Sequence, residues 1–308
     1  MAVSAAVYLR EAKKQTPATP GAAVDASVES ASRGEQARPN EAKAAVQGPR
    51  EVSTRGVGVP ADPFEFIRAL ARRAFDGDSE AQYLIGRELD RCEATLSLVR
   101  RESDPETAIL NFQWPTGLKQ WTISEFRRCA RLRNASPFDE LPARAEGYGF
   151  QYWQKRAQQS GHPVAVTEHS LRTLTSLGPD TKLSSEERIQ AQSDLAAAAA
   201  SDRPDALLRM GFHLLPYEYP ARVIRGVALM LAACRMGADC ASSSSVVPVS
   251  LCHDQGDPLC PPGMDVEIMV RHVLDAEAFA QAYAQSQQVE NDARTHDAAR
   301  MTPWMDLF

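Results

Sequence analysis

Six cysteines are the residues of this 308-residue chain whose number and spacing bear most directly on chemistry. Four of them, Cys234, Cys240, Cys252 and Cys260, follow the pattern C-x5-C-x11-C-x7-C in a stretch rich in Ser, Pro and Gly. Because such a stretch has little apolar content to form a core, disulfide bonds would supply the missing constraint. Zinc sites usually contain cysteines separated by about two to four residues, and this pattern has none. We therefore expect disulfides rather than a metal site or free thiols.

The pairing within this cysteine cluster has three solutions in principle. We expect Cys240–Cys252 to be nested inside Cys234–Cys260, because a nested pair lets the loop fold back onto its parent helix. The sequence alone leaves the other connectivities open.

The remaining two cysteines, Cys92 and Cys129, each lie on the apolar side of a predicted helix. They are either two small core residues or the two halves of a bond that joins those helices. We expect the bond. Closing its 38-residue loop would stabilise the fold by about 4 kcal/mol on the chain-entropy model, which is itself disputed.

Two further groups hold side chains that serve elsewhere as metal ligands or proton-transfer groups. His253, Asp254 and Asp257 could bind a metal, but they lie in a Gly/Pro-rich turn between two cysteines, where Asp commonly serves the turn itself. His213 and Glu218 could form an acid–base pair. A histidine at a helix end more often interacts with the last carbonyl groups, and we favour that interpretation.

Catalytic motifs are missing from the sequence. The serines among residues 241–245 lack a G-x-S-x-G context, and there is no P-loop, no G-x-G-x-x-G and no H-E-x-x-H. Five aromatic residues could stack on a ligand, although core packing explains them better: Trp114, Trp121, Tyr148, Tyr152 and Trp153. The sequence thus predicts no catalytic residue, no cofactor and no metal, and we expect a protein that is not an enzyme.

Helix-start patterns follow one another along the chain after residue 61. They combine an N-cap with proline, match a capping box, or place Pro or Asp before an apolar stretch: Asp62-Pro63, Asp104-Pro105, Thr122-x-x-Glu125, Ser184-x-x-Glu187, Pro204, Asp265 and Asp275. Alternating β-branched residues occur only at 246–249, where a proline argues against a strand. We therefore predict an all-α domain over residues 61–300.

Internal similarity refines this prediction. Four blocks share a helix end, a tight turn and a new helix that starts on a small residue: 73–81, 156–165, 200–206 and 232–241. Their turns are 84, 41 and 35 residues apart, so the first interval is about twice as long as each of the others. Repeats of about 34–45 residues are typical of helix–turn–helix solenoids.

Two of these blocks carry a specific resemblance. The segment YWQKRAQQSGHPVA at 152–165 resembles the Sel1-like repeat, and ARRAFDGDSEAQYLIGREL at 71–89 is similar to the same pattern, with Ala81, Leu84 and Gly86 in the expected places. The other two blocks are degenerate, and Asp202 replaces the glycine of the third. The resemblance covers roughly residues 63–245. It implies a TPR-related α-solenoid of the bacterial cell-envelope type, here with a disulfide-stapled C-terminal loop region, that serves as a scaffold for protein–protein contact without active-site residues.

The N-terminal 60 residues differ in kind from the rest. Residues 1–14 begin with an apolar stretch followed by basic residues, which is either the remnant of a signal peptide or membrane anchor or an Ala-rich terminus. Residues 15–60 contain no Ile, Leu, Met, Phe, Trp, Tyr or Cys, and such a segment forms a disordered linker. With the even cysteine count, this favours a periplasmic protein, free or anchored in the inner membrane and facing the periplasm.

Charge limits the partners. Residues 1–60 hold eight basic and six acidic residues, so the remainder, with 26 basic and 34 acidic residues, carries −8. An acidic domain repels phosphate backbones, and we expect no nucleic-acid partner. The expected partner is another protein. A membrane would be contacted only through an N-terminal anchor, and the oligomeric state is left open.

The C-terminal residues 301–308 form an apolar tail with the sequence MTPWMDLF. One interpretation is that the tail folds back and covers the open end of the solenoid, since a terminal repeat must hide its apolar face. The other is that Trp304, Leu307 and Phe308 bind a partner, because exposed aromatic clusters tend to be binding hot spots. We favour the first.

Two classes of function remain in competition. The first is a binding scaffold of the cell envelope, of which an immunity or inhibitor protein against a secreted toxin would be a special case. The second is an envelope hydrolase whose catalytic groups meet only in the fold. An enzyme should place several ionisable groups with shifted pKa values in one pocket, whereas a scaffold should present a broad groove.

Overall fold

The computed structural model describes residues 60–114, 116–143, 147–175, 183–215, 219–240, 265–306 and 308. Within these ranges it contains twelve α-helices and no β-strand, which confirms the predicted all-helical fold. The helices are α1 (Pro63–Phe75), α2 (Ser79–Leu98), α3 (Pro105–Asn111), α4 (Thr116–Asn134), α5 (Phe150–Gln159), α6 (Pro163–Thr175), α7 (Ser185–Ala199), α8 (Pro204–Leu214), α9 (Pro220–Arg235), α10 (Val266–Val273), α11 (Ala276–Ala293) and α12 (Ala298–Met305). The linker predicted at 15–60 and the apolar and basic segment at 1–14 lie almost wholly outside the described residues.

Most predicted helix starts are confirmed, because they rest on local hydrogen bonds. The Asp62 carboxylate accepts hydrogen bonds from the first-turn N–H groups of α1, and Ser184 and Glu187 form a reciprocal capping box at α7. The capping box predicted at Thr122 and Glu125 is wrong. Both residues lie inside α4 and are buried, and Glu125 forms ion pairs with arginines instead.

Consecutive helices form pairs joined by tight turns: α1 with α2, α5 with α6, and α7 with α8. Gly77 and Gly161 in the first two turns, and Gly237 after α9, adopt φ values of 106°, 73° and 98°. Only glycine adopts this left-handed conformation without steric cost. In each case the next residue donates its N–H to a carbonyl of the preceding helix, which satisfies the helix end. The third turn, at Asp202, uses no left-handed residue.

The pairs stack through the second helix of one against the first helix of the next: α2 against α5, α6 against α7, and α8 against α9. The second helices carry a small buried residue at the same distance from their turns, namely Gly86, Ser170 and Gly211. Gly86 faces α5 and Gly211 faces α9 so closely that an added Cβ would come within 3.1 Å or less of the neighbouring helix. Small residues at these positions therefore set the spacing between pairs.

The long first interval between turns contains α3 and α4, and α4 packs against both α1 and α2. Cys129 of α4 is bonded to Cys92 of α2, with their Cα atoms 5.5 Å apart, as predicted. Both residues are fully buried. The bond thus fastens the extra helices to the first pair.

The pairing predicted for the second cysteine group is wrong, because Cys234 is bonded to Cys240. The left-handed turn at Gly237 reverses the chain after α9 and brings the two Cα atoms to 5.7 Å. This leaves neither residue for a nested arrangement. Cys252 and Cys260 lie outside the described residues. The chain re-enters the described structure beside this bond, where the Val266 N–H donates to the Cys240 carbonyl at 3.0 Å.

The C-terminal residues do not form a separate tail, because residues 298–305 form helix α12. This helix packs against α7, which lies in the middle of the chain, as well as against α11. Met301 and Met305 are fully buried and Trp304 is 8% exposed. The Trp304 indole N–H donates to Asp292 of α11 at 3.1 Å. The end of the chain therefore covers a central helix.

Candidate functional site

An open cleft of about 380 Å³ lies where α2, α6 and α8 meet, a size within the range of small-ligand sites. These are the second helices of the three pairs, and α5 closes one side. The lining residues are Asp90, Gln154, Glu168, Leu171, Arg172, Thr175, Arg209, Phe212 and His213. The cleft combines a buried apolar floor with charged side chains of both signs.

Equivalent positions in two of the pairs supply most of this lining. Glu168 lies three residues after the alanine that follows its turn, and so does Arg209. Leu171 and Phe212 correspond in the same way, three residues further along each helix. Because residues three and four apart share a helix face, the pairing of helices aligns these side chains across the cleft.

The two arginines of the cleft are both engaged. The Arg209 Nε lies 3.3 Å from the Glu168 Oε1, and the Arg172 Nη1 donates to the Gln154 Oε1 at 3.3 Å. Burial lowers the pKa of Arg209, but Glu168, Tyr83 and Asp90 together outweigh it and the pKa is raised. The surroundings of Arg209 thus favour positive charge.

Asp90 stands apart, because among the described residues its carboxylate has no hydrogen bond or ion pair. Burial by the surrounding protein and the negative charge of Glu168 raise its pKa, and the opposing charges of Arg209 and Arg172 do not offset them. Asp90 is nevertheless exposed at the rim. The cleft therefore contains one carboxylate that the fold leaves uncompensated.

A hydrogen-bonded cluster ties the three second helices together at their N-terminal ends. The His162 Nε2 lies 3.0 Å from the Glu80 Oε2, and Arg203 pairs with the same carboxylate. The His162 ring stacks on Tyr83 with centroids 4.3 Å apart. Burial, with the nearby Glu168, raises the pKa of Tyr83 to about 12. Each of these helices contributes one partner at its start, which aligns them beside the cleft.

His213 lines the cleft near the end of α8, where we expected a helix-end histidine. Glu218, its partner in the alternative acid–base pair, lies outside the described residues. Burial lowers the pKa of His213, so its ring is neutral near pH 7. The Phe308 ring lies 6.1 Å from the His213 ring. Of the other residues predicted to bind a partner, Trp304 is largely buried and Leu307 lies outside the described residues.

The predicted aromatic set divides in two. Tyr148, Tyr152 and Trp153 pack on one another with centroids 5.0–5.6 Å apart, and Trp153 is fully buried. This is the core packing that we expected. Trp114 packs against Phe112 at 4.6 Å, and Trp121 is half-buried in α4.

A buried ionic network between α2 and α4 was not predicted from the sequence. Arg128 of α4 pairs with Glu88 of α2 and with Glu125, and Arg91 of α2 donates to Glu125 at 2.7 and 3.0 Å. The network surrounds the Cys92–Cys129 bond. One sequence pattern could have revealed it, because a glutamate lies four residues before each of these two cysteines. The network locks α4 onto α2 and lies outside the cleft lining.

No family model, no curated protein and no solved structure matches this chain. Within the described ranges, no group of His, Cys, Asp and Glu is arranged to hold a metal ion; the predicted turn with His253, Asp254 and Asp257 falls outside those ranges. In the same part of the chain, none of the helices has the length and apolarity needed to span a bilayer. What the cleft offers chemically is an uncompensated carboxylate, paired charges and an apolar floor. Asp90, Arg209 and His213 all have shifted pKa values in this one cleft, which is the arrangement that we expected of an enzyme rather than of a scaffold.

Proposed function

We propose that this chain is a Sel1-like helix-pair solenoid that acts as a protein-binding scaffold in the periplasm of a bacterial cell envelope. The observation that carries the proposal is the cleft lined by equivalent positions of successive helix pairs. In solenoid proteins, stacked pairs present such equivalent positions along one continuous face, and that face binds partners.

Stacking through small residues also supports this architecture. Gly86 and Gly211 occupy the same position in their helices, and each admits the first helix of the following pair. A recurring close approach produces a recurring rotation between pairs, which is the basis of solenoid curvature. The packing of α12 on α7 adds a contact between distant helices, and we interpret it as a covering element.

The disulfides bear on the compartment. Cys92–Cys129 and Cys234–Cys240 indicate an oxidising environment outside the cytoplasm, where such bonds form and persist. The periplasm is the compartment of this kind that fits a bacterial chain. We propose it as the site of action, with residues 1–14 as the remnant of an export or anchoring segment and residues 15–60 as a linker.

Site-specific photocrosslinking in living cells tests the scaffold hypothesis. Thr175 and His169 are both exposed on α6, but only Thr175 lines the cleft. A benzoylphenylalanine placed at Thr175 should give one defined protein adduct, and the same group at His169 should not. Adducts of equal yield from both positions, or none from Thr175, would contradict a partner-binding cleft.

A further inference from the structure

We propose that the partner inserts a lysine or arginine side chain into the cleft, where its charge pairs with Asp90 and Glu168 and its aliphatic part packs on Leu171 and Phe212. This inference rests on the proposed function and specifies the chemistry of the partner at the same cleft.

The charges of the cleft are unequally compensated. Arg209 forms an ion pair with Glu168 at 3.3 Å and Arg172 donates to the neutral Gln154 amide oxygen at 3.3 Å, whereas Asp90 has no hydrogen bond or ion pair among the described residues. Its pKa is raised by burial and then by Glu168, so its negative charge raises the energy of the unbound protein. An incoming cation would relieve that cost, and an incoming anion would increase it.

The apolar floor of the cleft fits the aliphatic part of a lysine or arginine side chain. Leu171 and Phe212 line the cleft and are 6% and 9% exposed, so they offer small apolar contacts beneath the charged rim. Lysine and arginine bury their methylene groups on such surfaces while the charged end stays near water. The neutral His213 ring beside Phe212 does not repel a cation.

The opposing feature is Arg172, which is exposed at the rim and repels a cation. Its guanidinium is held by the Gln154 amide oxygen on α5, and Gln154 packs against Gly86 of α2, one helical turn before Asp90. Arg209 in turn is compensated by Glu168. An acidic partner would have to displace one of these contacts. A basic side chain displaces none, because Asp90 has no hydrogen-bond partner among the described residues, but it must overcome the repulsion from Arg172.

The test uses end-blocked peptides as probes of the full chain. GSGRGSG and GSGKGSG are titrated against the protein while the Leu171 methyl signals are followed by NMR, with GSGEGSG as the acidic counterpart. Saturable shifts of Leu171 with the two basic peptides, and none with the acidic peptide, are expected. Asp90→Asn should weaken binding about threefold or more. Glu277→Gln removes an exposed carboxylate on α11 and should leave binding unchanged.

Several results would overturn the inference. One is a preference for GSGEGSG, and another is binding of GSGRGSG that Asp90→Asn does not weaken. A third is the absence of any Leu171 shift while Thr175 still crosslinks to a partner, in which case the scaffold stands and the basic side chain is wrong. Loss of both the shift and the crosslink would reject the proposed function as well. Circular dichroism of Asp90→Asn confirms that the variant remains folded.

Discussion

Gly211 of α8 and Gly226 of α9 lie against each other where the two helices cross. A Cβ on Gly211 would come within 2.6 Å of the Gly226 carbonyl oxygen and 2.3 Å of the Met230 Cγ. A Cβ on Gly226 would in turn lie 2.9 Å from the Gly211 carbonyl oxygen. Because backbone atoms form part of each contact, neither helix can make room by moving a side chain alone.

Adding a single methyl group at this crossing should therefore separate the helices. We expect Gly211→Ala to lower the free energy of unfolding by about 2–3 kcal/mol, as overpacking of a close contact does. Gly117 of α4 has nothing within 4 Å of an added Cβ, so Gly117→Ala is the matched control and should be neutral or stabilising. Urea denaturation of the two variants gives the comparison, and an equal effect would contradict the crossing.

The two disulfides should differ in what they contribute. Cys92–Cys129 closes a long loop, with a sequence separation of 37, and Cys234–Cys240 a short one, with a separation of 6. On the chain-entropy model, replacing the first pair with serines should cost about 4 kcal/mol and replacing the second about 2 kcal/mol. Denaturation of the two double variants measures both. A larger loss from the Cys234 and Cys240 variant would contradict this account.

The sequence predicted an interaction correctly where the partners lie within a few residues of each other in the chain. Asp62 caps α1 and Ser184 caps α7, as predicted, because a cap involves only the next few residues. Thr122 and Glu125 have the same spacing, yet Glu125 is buried against Arg91 of another helix. The S/T-x-x-E pattern cannot show whether a glutamate faces its own backbone or a distant arginine.

The ionic network around Glu125 predicts sensitivity to acid. Burial raises the pKa of Glu125, but hydrogen bonds from Arg91 and Arg128 outweigh it, so that the pKa lies below the ordinary value of 4.5. A depressed pKa in the folded state stabilises the fold above the unfolded pKa, and this contribution is lost as the pH falls through the folded value. Wild-type stability should therefore fall below about pH 4.5.

Glu125→Gln should be less stable than the wild type at pH 7, because it leaves the Arg91 guanidinium without its carboxylate and leaves Arg128 with Glu88 alone. The difference between the two proteins should shrink as the pH falls below about 4.5, where the wild-type carboxylate is also lost. Glu140→Gln is a suitable control, because Glu140 is exposed with a side chain accessibility of 80%. Thermal melts across this pH range measure the difference. A difference that is constant with pH would argue that the loss is steric.

Helix α12 should contribute to stability rather than act as a free appendage. Trp304 is buried against the fold and donates to Asp292 at 3.1 Å, so Trp304→Ala should cost about 3 kcal/mol or more. Thr302→Ala, on the exposed side of the same helix, should change stability little. Deletion of residues 302–308 should reproduce or exceed the effect of Trp304→Ala. An unchanged melting curve after deletion would instead support the alternative interpretation, in which the C-terminal residues bind a partner.

Asp90 should show the reverse behaviour of Glu125. Its pKa is raised by burial and then by Glu168, so the ionised form weakens the fold, and stability is lost as the pH rises through the folded pKa. Asp90→Asn should therefore keep or raise the melting temperature at pH 7 while it weakens binding of a basic probe. A lower melting temperature would mean that Asp90 stabilises the fold and is not poised for a ligand.

Part of the cleft could have been predicted from the sequence. Alignment of the turn blocks places Glu168 and Arg209 at equivalent positions, which would have suggested that they face each other. The contribution of Asp90 could not be predicted, because it depends on how α2 packs beside α6 and α8. The Cys234–Cys240 bond follows from the left-handed turn at Gly237. The block at 232–241 predicted that turn, but the pairing was inferred from the nesting of four cysteines and not from the turn.

The chain leaves α9 through the Cys234–Cys240 bond and resumes at Val266, whose N–H reaches the Cys240 carbonyl at 3.0 Å. Exit and entry thus meet at one point, so the segment between them starts and ends at the same place in the fold. The entropy of closing a loop grows only slowly with its length, by about 0.6 kcal/mol per doubling. This junction is therefore the natural place for relatives to differ in length, and for an engineer to graft a foreign peptide or a whole domain.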